Sequence, residues 1–280
     1  MKLKDYLLLT KFRLSITVVL SAVLGYFISS NNINWQTVFC LALGGFMTTA
    51  SANTFNQIIE KDTDKLMNRT ANRPLPCGRM TITEAFVFGL IMAFGGFFIL
   101  SYFVNMFSGV MGITSLLLYV FAYTPLKKIS PVSVLVGAIP GAMPPLIGWV
   151  AATNHLSFGA WILFGIQFIW QFPHFWSIAW VLNDDYQKAG FKMLPSSGGK
   201  NKSTAFQIMA YSLGLVPLSL LPFMFNMSGG AAACLIFIVG IVFSVFSVKL
   251  YRKCTDELAR KIMFFSFIYL PIVQLLLVMK

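Results

Sequence analysis

The sequence predicts an all-α integral membrane protein built as a bundle of nine transmembrane helices, and three observations carry that prediction. Hydrophobic residues make up 57% of the 280-residue chain, and mean hydropathy is +0.75. Charged residues are 11%, whereas a soluble domain has about a quarter charged and about half apolar. The apolar residues also run in uncharged stretches of the length a bilayer needs, about 20 residues for a hydrocarbon core about 30 Å thick.

In chain order, the spans are expected near residues 14–30, 37–59, 84–104, 107–124, 132–152, 158–182, 205–225, 229–248 and 262–279, with a very short connection at Asn105. The two loops 31–36 and 153–157 contain no Lys, Arg, Asp or Glu. The connections on the opposite side are longer and charged, which places the working surface at one end of the bundle. Residues 1–280 read as one transmembrane domain.

The net charge of +12 does not point to nucleic acid, because the basic residues are sorted by loop. Lys2, Lys4, Lys11 and Arg13 flank the start of the first span, and Lys61, Lys65, Arg69, Arg73 and Arg79 follow the second. Lys127 and Lys128 follow the fourth span, Lys188, Lys192, Lys200 and Lys202 the sixth, and Lys249, Arg252, Lys253, Arg260 and Lys261 join the last two. All lie on the side of the N-terminus, which the positive-inside rule makes cytoplasmic; an odd number of spans then puts Lys280 outside. The N-terminal stretch lacks a transit-peptide composition and an A-x-A cleavage site, so the first span is expected to be retained and a bacterial inner membrane is the expected location. Cys40, Cys77, Cys234 and Cys254 have no metal-ligand spacing, and no disulfide is expected.

The acidic residues gather at the same end, which the positive-inside rule does not require. At 100° per residue, Asn56, Glu60 and Asp64 share one face at the end of the second span, and Asn53 extends that stripe inward. A carbonyl oxygen and two carboxylates suit Mg²⁺, which prefers oxygen and is commonly held by few protein carboxylates together with substrate phosphates. Asp184 and Asp185, at the end of the sixth span, are expected to supply the other half. Simple solvation of two helix ends is the rival reading. Carboxylates at helix C-termini oppose the macrodipole, however, and two helices bearing them favour bound cations.

Arg69, Arg73, Arg79, Lys127, Lys128, Lys188 and Lys192 fall in the same layer, where their side chains suit phosphate oxygens. Most also serve as ordinary positive-inside charge; Arg73 differs, because Pro74 stiffens the Arg-Pro-Leu-Pro turn that holds it. Acids and bases at the rim of an apolar bundle call for a ligand with a diphosphate head and a greasy tail, the shape of a prenyl diphosphate. The loops 60–82 and 183–204 both begin with carboxylates, continue through basic residues and contain a Leu-Pro step, a hint of an internal duplication.

These residues resemble the UbiA superfamily of intramembrane aromatic prenyltransferases, whose first motif is Asn-x3-Asp-x3-Asp and whose second is of an Asp-x3-Asp type. Residues 56–80, with Glu60 at the middle acidic position, together with 123–149 and 173–195, are similar to the branch that farnesylates haem. The resemblance covers most of the chain. It implies a UbiA-type bundle and transfer of farnesyl from farnesyl diphosphate to the vinyl group of haem b, with water added, giving haem O and diphosphate. Asn56, Glu60 and Asp64 with Asp184 or Asp185 would then hold Mg²⁺, and Asn53, Arg69, Arg73, Tyr123, Lys127, Lys128, His174, Lys188 and Lys192 would surround the substrates. A haem A synthase or an oxidase-assembly factor is a partner implied by the family alone.

Two departures stand out. Lys188 occupies the place where a motif starting at Asp184 needs an acid, so the choice between Asp184 and Asp185 stays open, and Phe12 interrupts an expected Lys-Pro-Arg near Lys11. His174 lies ten residues before Asp184, about 15 Å deeper on a regular helix, with Gln167 and Gln171 on a similar face. Intramembrane histidines are functional candidates, and His174 reads either as a haem-iron ligand or as an interhelical hydrogen-bonding group. His155 falls in an outer loop. The competing functions are prenylation of a quinone-precursor aromatic ring, small-molecule transport and a haem-binding scaffold. Transport fits less well, since the charged residues sit at an interface rather than at midplane.

Overall fold

The computed structural model describes residues 2–196 and 198–279; Ser197 and Lys280, the residue expected outside the membrane, lie outside the described residues. Every regular element among the described residues is helical. A short helix α1 (Lys2–Leu9) precedes α2 (Phe12–Ser29) and α3 (Trp35–Ile59), and α4 (Lys61–Asp64) follows a break at Glu60. The helix α5 (Ile82–Ile99) ends in a π turn at Leu100–Val104, and α6 (Met106–Leu117) ends in another at Leu118–Tyr123. They are followed by α7 (Thr124–Ile129), α8 (Ser133–Thr153), α9 (Phe158–Val181), α10 (Asn183–Lys188), α11 (Lys202–Met224), α12 (Gly230–Lys253) and α13 (Asp256–Val278).

Among the described residues, eight helical segments are long and apolar enough to cross a membrane. α9 is the ninth expected span: it has 24 residues and no charged side chain, and its hydropathy is lowered by Gln167, Gln171 and His174, all of which are buried inside the bundle. The chain is an integral membrane protein. The last helices run further than expected at their charged ends: α12 continues to Lys253 rather than 248, and α13 begins at Asp256 rather than 262. Hydropathy marks where the hydrocarbon ends, whereas helical hydrogen bonding continues beyond it.

Local chemistry sets the ends of several helices. Asn34, Thr81, Asn105 and Asn201 each accept a backbone N–H of the following first turn with the side-chain oxygen, the preferred N-cap arrangement. Asn105 alone connects α5 to α6: its Oδ1 accepts from Ser108 N at 2.8 Å, and its Nδ2 donates to Val150 O at 3.0 Å.

Around the bundle, α2 packs on α3, α8 and α13, while α9 packs on α8, α11 and α13. The α2–α8 contact is made backbone to backbone. A Cβ on Gly25 would overlap the Pro145 carbonyl, and one on Gly148 would overlap that of Ala22, the close approach that small residues permit in membranes. Pro144 and Pro145 in α8 cannot donate to the carbonyls of Pro140 and Gly141. Those carbonyls are instead bonded by Ser115 Oγ at 3.2 Å and Gln167 Nε2 at 2.7 Å. The prolines are thus accommodated by neighbouring helices, as lipid-embedded backbone requires. The C-terminal helices form a solid core around Trp180, Phe243 and Tyr269, whereas α2, α3, α6 and α8 leave a cavity between them.

Candidate functional site

The site is built where α3 ends. Hydrogen bonds from Glu60 N to Asn56 O (2.9 Å) and from Asp64 N to Glu60 O (2.7 Å) carry the i, i+4 register through the break between α3 and α4. Asn56, Glu60 and Asp64 therefore keep the shared face read from their spacing, and all three are buried.

Each meets a side chain from elsewhere. Lys127 Nζ, on α7, donates to Glu60 Oε1 at 2.8 Å. Arg73 Nη1 donates to Asp64 Oδ2 at 2.7 Å, held by the Arg-Pro-Leu-Pro turn. Lys11 Nζ donates to Asn56 Oδ1 at 2.9 Å, and Asn56 Nδ2 donates to Thr124 Oγ1 at 3.3 Å. Deeper, Asn53 Nδ2 donates to Thr10 O at 3.2 Å and to Ser15 Oγ at 3.3 Å. The ammonium of Lys127 also lies 4.5 Å from the ring centroid of Tyr123, within cation–π range.

Burial pushes the Glu60 carboxyl up, but Lys127, Lys11 and Arg73 outweigh it and hold it below its ordinary value. Burial lifts the Asp64 carboxyl above its ordinary value despite the opposing Arg73. Lys11 is driven well below the usual amine range, by burial first and then by the neighbouring cations Arg73 and Lys127. Three basic side chains thus face two carboxylates in a buried cluster, an imbalance that an anion would relieve. Asp64 Oδ1 is buried with no hydrogen-bond partner among the described residues.

The second charged loop reaches the first through Asp185. Its Oδ1 and Oδ2 accept from the backbone N–H groups of Asn68 and Arg69, each at 3.4 Å. Lys188 Nζ lies 3.6 Å from Asp185 Oδ1, and Lys192 N donates to Lys127 O at 2.7 Å. Asp184 is exposed, as are the side chains of Arg69, Lys128, Lys188 and Lys192. Asp185, not Asp184, is therefore the residue through which the two loops meet. Among the described residues, no three His, Cys, Asp or Glu side chains converge as a metal cage. The acidic set expected from sequence is divided: Glu60 and Asp64 bond to cations and Asp185 to amides.

Below the cluster lies an apolar cavity whose free space is about 810 Å³ when the part open to its surroundings is included. Asn53 and Tyr119 line its charged end; Leu41, Leu100 and Ile147 line the other. His174 is not among its lining residues. It sits between α9 and α13, with Nδ1 2.7 Å from Ser266 Oγ and its ring stacked on Trp170 at 4.4 Å, the interhelical arrangement of its two readings.

Sequence reasoning placed Lys11 in the charged layer without a role, and gave none to Thr124 or Tyr119. The signals for Lys11 are its position just before the first span and the Lys-Pro-Arg pattern that Phe12 interrupts. Tyr119, Tyr123 and Thr124 depend on the π turn at Leu118–Tyr123. Such turns occur often at functional sites and leave no periodic mark in sequence. α1 was not expected either. It ties together the loop 60–82 and the helices on either side of it: Arg79 Nε of the loop donates to Asp5 Oδ1 (2.8 Å), Tyr6 OH donates to Glu84 Oε1 on α5 (3.1 Å), and Gln57 Nε2 on α3 donates to Leu9 O (2.7 Å).

Comparison with known proteins decides the family. The UbiA prenyltransferase family matches residues 18–268. This chain belongs to the UbiA prenyltransferase family. It is an enzyme. It is similar to the protoheme IX farnesyltransferase of Cytophaga hutchinsonii, with 46% identity over 98% of this chain and 96% of that one. With the protein of the same name from Christiangramia forsetii it shares 43% identity over 99% of this chain and 93% of the relative. Among solved structures, a digeranylgeranylglyceryl phosphate synthase superimposes with a TM-score of 0.83 at 25% identity, covering 99% of this chain and 98% of that one. A UbiA homologue from Archaeoglobus fulgidus bound to GPP and Mg²⁺ gives 0.71 at 15% identity, covering 98% and 99%. The second likeness bears on the fold of this UbiA-family chain alone.

Proposed function

We propose that this enzyme transfers farnesyl from farnesyl diphosphate to a vinyl group of haem b, water being added, to give haem O and diphosphate. One observation carries the reading: an apolar cavity ends at a buried cluster with more basic side chains than carboxylates. Such a site takes a molecule with an anionic head and an apolar tail. The acceptor is haem b on the strength of the relatives named protoheme IX farnesyltransferase.

The diphosphate would sit at Asn56, Glu60 and Asp64, with the tail passing Asn53 and Tyr119 into the cavity. Lys127, Arg73 and Lys11 would exchange part of their bonding to carboxylate and amide oxygens for phosphate oxygens. Lys128, Arg69, Lys188 and Lys192 would surround the outer rim. Glu60 and Asp64, released from their cations, and Asn56 suit Mg²⁺, as the unpartnered Asp64 Oδ1 suggests; Asp185 is placed to hold the facing loop, and Asp184 is the more remote acid. When bound, Mg²⁺ supplies positive charge that favours loss of the diphosphate. The cationic side chains supply the same stabilisation as charge grows on the leaving group. Tyr119, at the mouth of the cavity, presents its ring to the allylic carbon as that carbon becomes cationic. The electron-rich vinyl carbon then forms the new bond, the positive charge passes to the porphyrin, and water quenches it with loss of a proton. No protein nucleophile is needed.

The charged face would lie in the cytoplasm of a bacterial inner membrane, with the N-terminus inside and the C-terminus outside, and residues 1–280 acting as one domain. Purified protein should convert haem b and farnesyl diphosphate into a product with the mass of haem O when Mg²⁺ is added, and chelation should stop it. Prenylation of hydroxybenzoate in preference to haem b would overturn the choice of acceptor.

A further inference from the structure

We infer that Leu100 is the stop that sets the length of prenyl chain this enzyme accepts. The inference rests on the reading that the cavity holds the prenyl tail.

Leu100 lines the end of the cavity away from the charged cluster and is 1% exposed. Its position is unusually constrained. It opens the π turn Leu100–Val104, and its side chain is wedged between α3 and α6 at two glycines. A Cβ on Gly44 would stand 2.8 Å from Leu100 Cγ, and one on Gly112 2.9 Å from Leu100 Cδ1. Both distances are shorter than side chains tolerate, so the leucine occupies this place because both neighbours are glycines.

The distances suit a three-isoprene tail. Asn53, at the mouth, and Gly44, beside Leu100, are nine residues apart on α3, a depth of about 14 Å at the helical rise. Each isoprene unit contributes four backbone bonds, so three units extend roughly 15 Å with carbon–carbon bonds of about 1.5 Å laid in zigzag. A farnesyl chain whose first carbon lies near Asn53 and Tyr119 therefore ends at Leu100, and a fourth unit would strike it. Gly45, one residue along, faces the cavity with space to spare: a Cβ there would meet only Val19 Cγ2, at 3.9 Å. Side chains added at Gly45 would shorten the cavity from the side.

The test measures binding of geranyl, farnesyl and geranylgeranyl thiolodiphosphates to the purified protein in Mg²⁺, alongside transfer of each natural diphosphate's chain to haem b. Leu100→Ala should raise affinity for the C20 chain relative to C15 by about tenfold, the effect expected of a few carbons in an apolar pocket. Gly45→Val should shift preference the other way, toward C10, and does not depend on tolerance of a lost core leucine. An unchanged C20-to-C15 ratio in folded Leu100→Ala would overturn the assignment of Leu100, and an unchanged preference in folded Gly45→Val would overturn the placement of the tail in this cavity. If the wild type binds the farnesyl analogue but transfers no chain to haem b, the choice of acceptor fails while the binding ratios still decide the inference.

Discussion

Glu60→Gln tests the charge arrangement at the site most directly. The Glu60 carboxylate lies 2.8 Å from Lys127 Nζ, and both side chains are buried. At an effective dielectric of 20, that separation corresponds to about 6 kcal/mol of gross attraction. Desolvation offsets part of it, and losing one member of such a pair costs about 3 kcal/mol of stability. The variant should therefore melt lower but still fold. Its cluster of Lys11, Arg73, Lys127 and Asp64 gains one uncompensated positive charge. With Mg²⁺ chelated, farnesyl diphosphate should bind about tenfold more tightly, because an anion about 6 Å from the freed ammonium gains about 3 kcal/mol before solvent screening roughly halves it. In Mg²⁺, turnover should fall by about 10³-fold, the scale seen when a group that stabilises developing charge is removed. Titration calorimetry with and without EDTA, beside product formation, separates the two effects. Wild-type turnover at limiting Mg²⁺, or weaker diphosphate binding without metal, would refute the reasoning.

The remaining predictions concern single side chains with distinct partners. Asp64 is raised by burial and opposed by Arg73; if the ionised form is required, activity is lost as pH falls through that raised value. Arg73→Ala removes the opposing cation and should move the acid limb of kcat/KM to still higher pH, whereas an unmoved limb would exclude Asp64 as the titrating group. His174→Ala should lower stability by about 1–3 kcal/mol, since Ser266 loses its partner, and leave the bound-haem spectrum unchanged; loss of an iron-ligand band would establish ligation instead. Asp185→Ala removes the acceptor of the Asn68 and Arg69 amides and should raise KM for farnesyl diphosphate and speed proteolysis within residues 60–82. Equal protection of that loop in both proteins would show that Asp185 does not hold it.

The separation between local and long-range information runs through the whole molecule. Sequence alone located α8 at 132–152 against an observed 133–153, and α9 at 158–182 against 158–181, because bilayer thickness demands uninterrupted apolar runs. It also determined the face shared by Asn56, Glu60 and Asp64, since helical periodicity is a property of neighbouring residues. The segregation of charge to one end was equally plain. Tertiary structure alone decided what those side chains meet: Lys127 is 67 positions from Glu60, and Asn68 is 117 from Asp185. The reason is that apolar stretches are nearly interchangeable as membrane spans. Their neighbours are selected by backbone approach at Gly25 and Gly148, and by the matching of proline-freed carbonyls to Ser115 and Gln167. The π turns at Leu100 and Leu118, the strap made by α1 and the resulting cavity follow from that packing, and hydropathy carries no record of them.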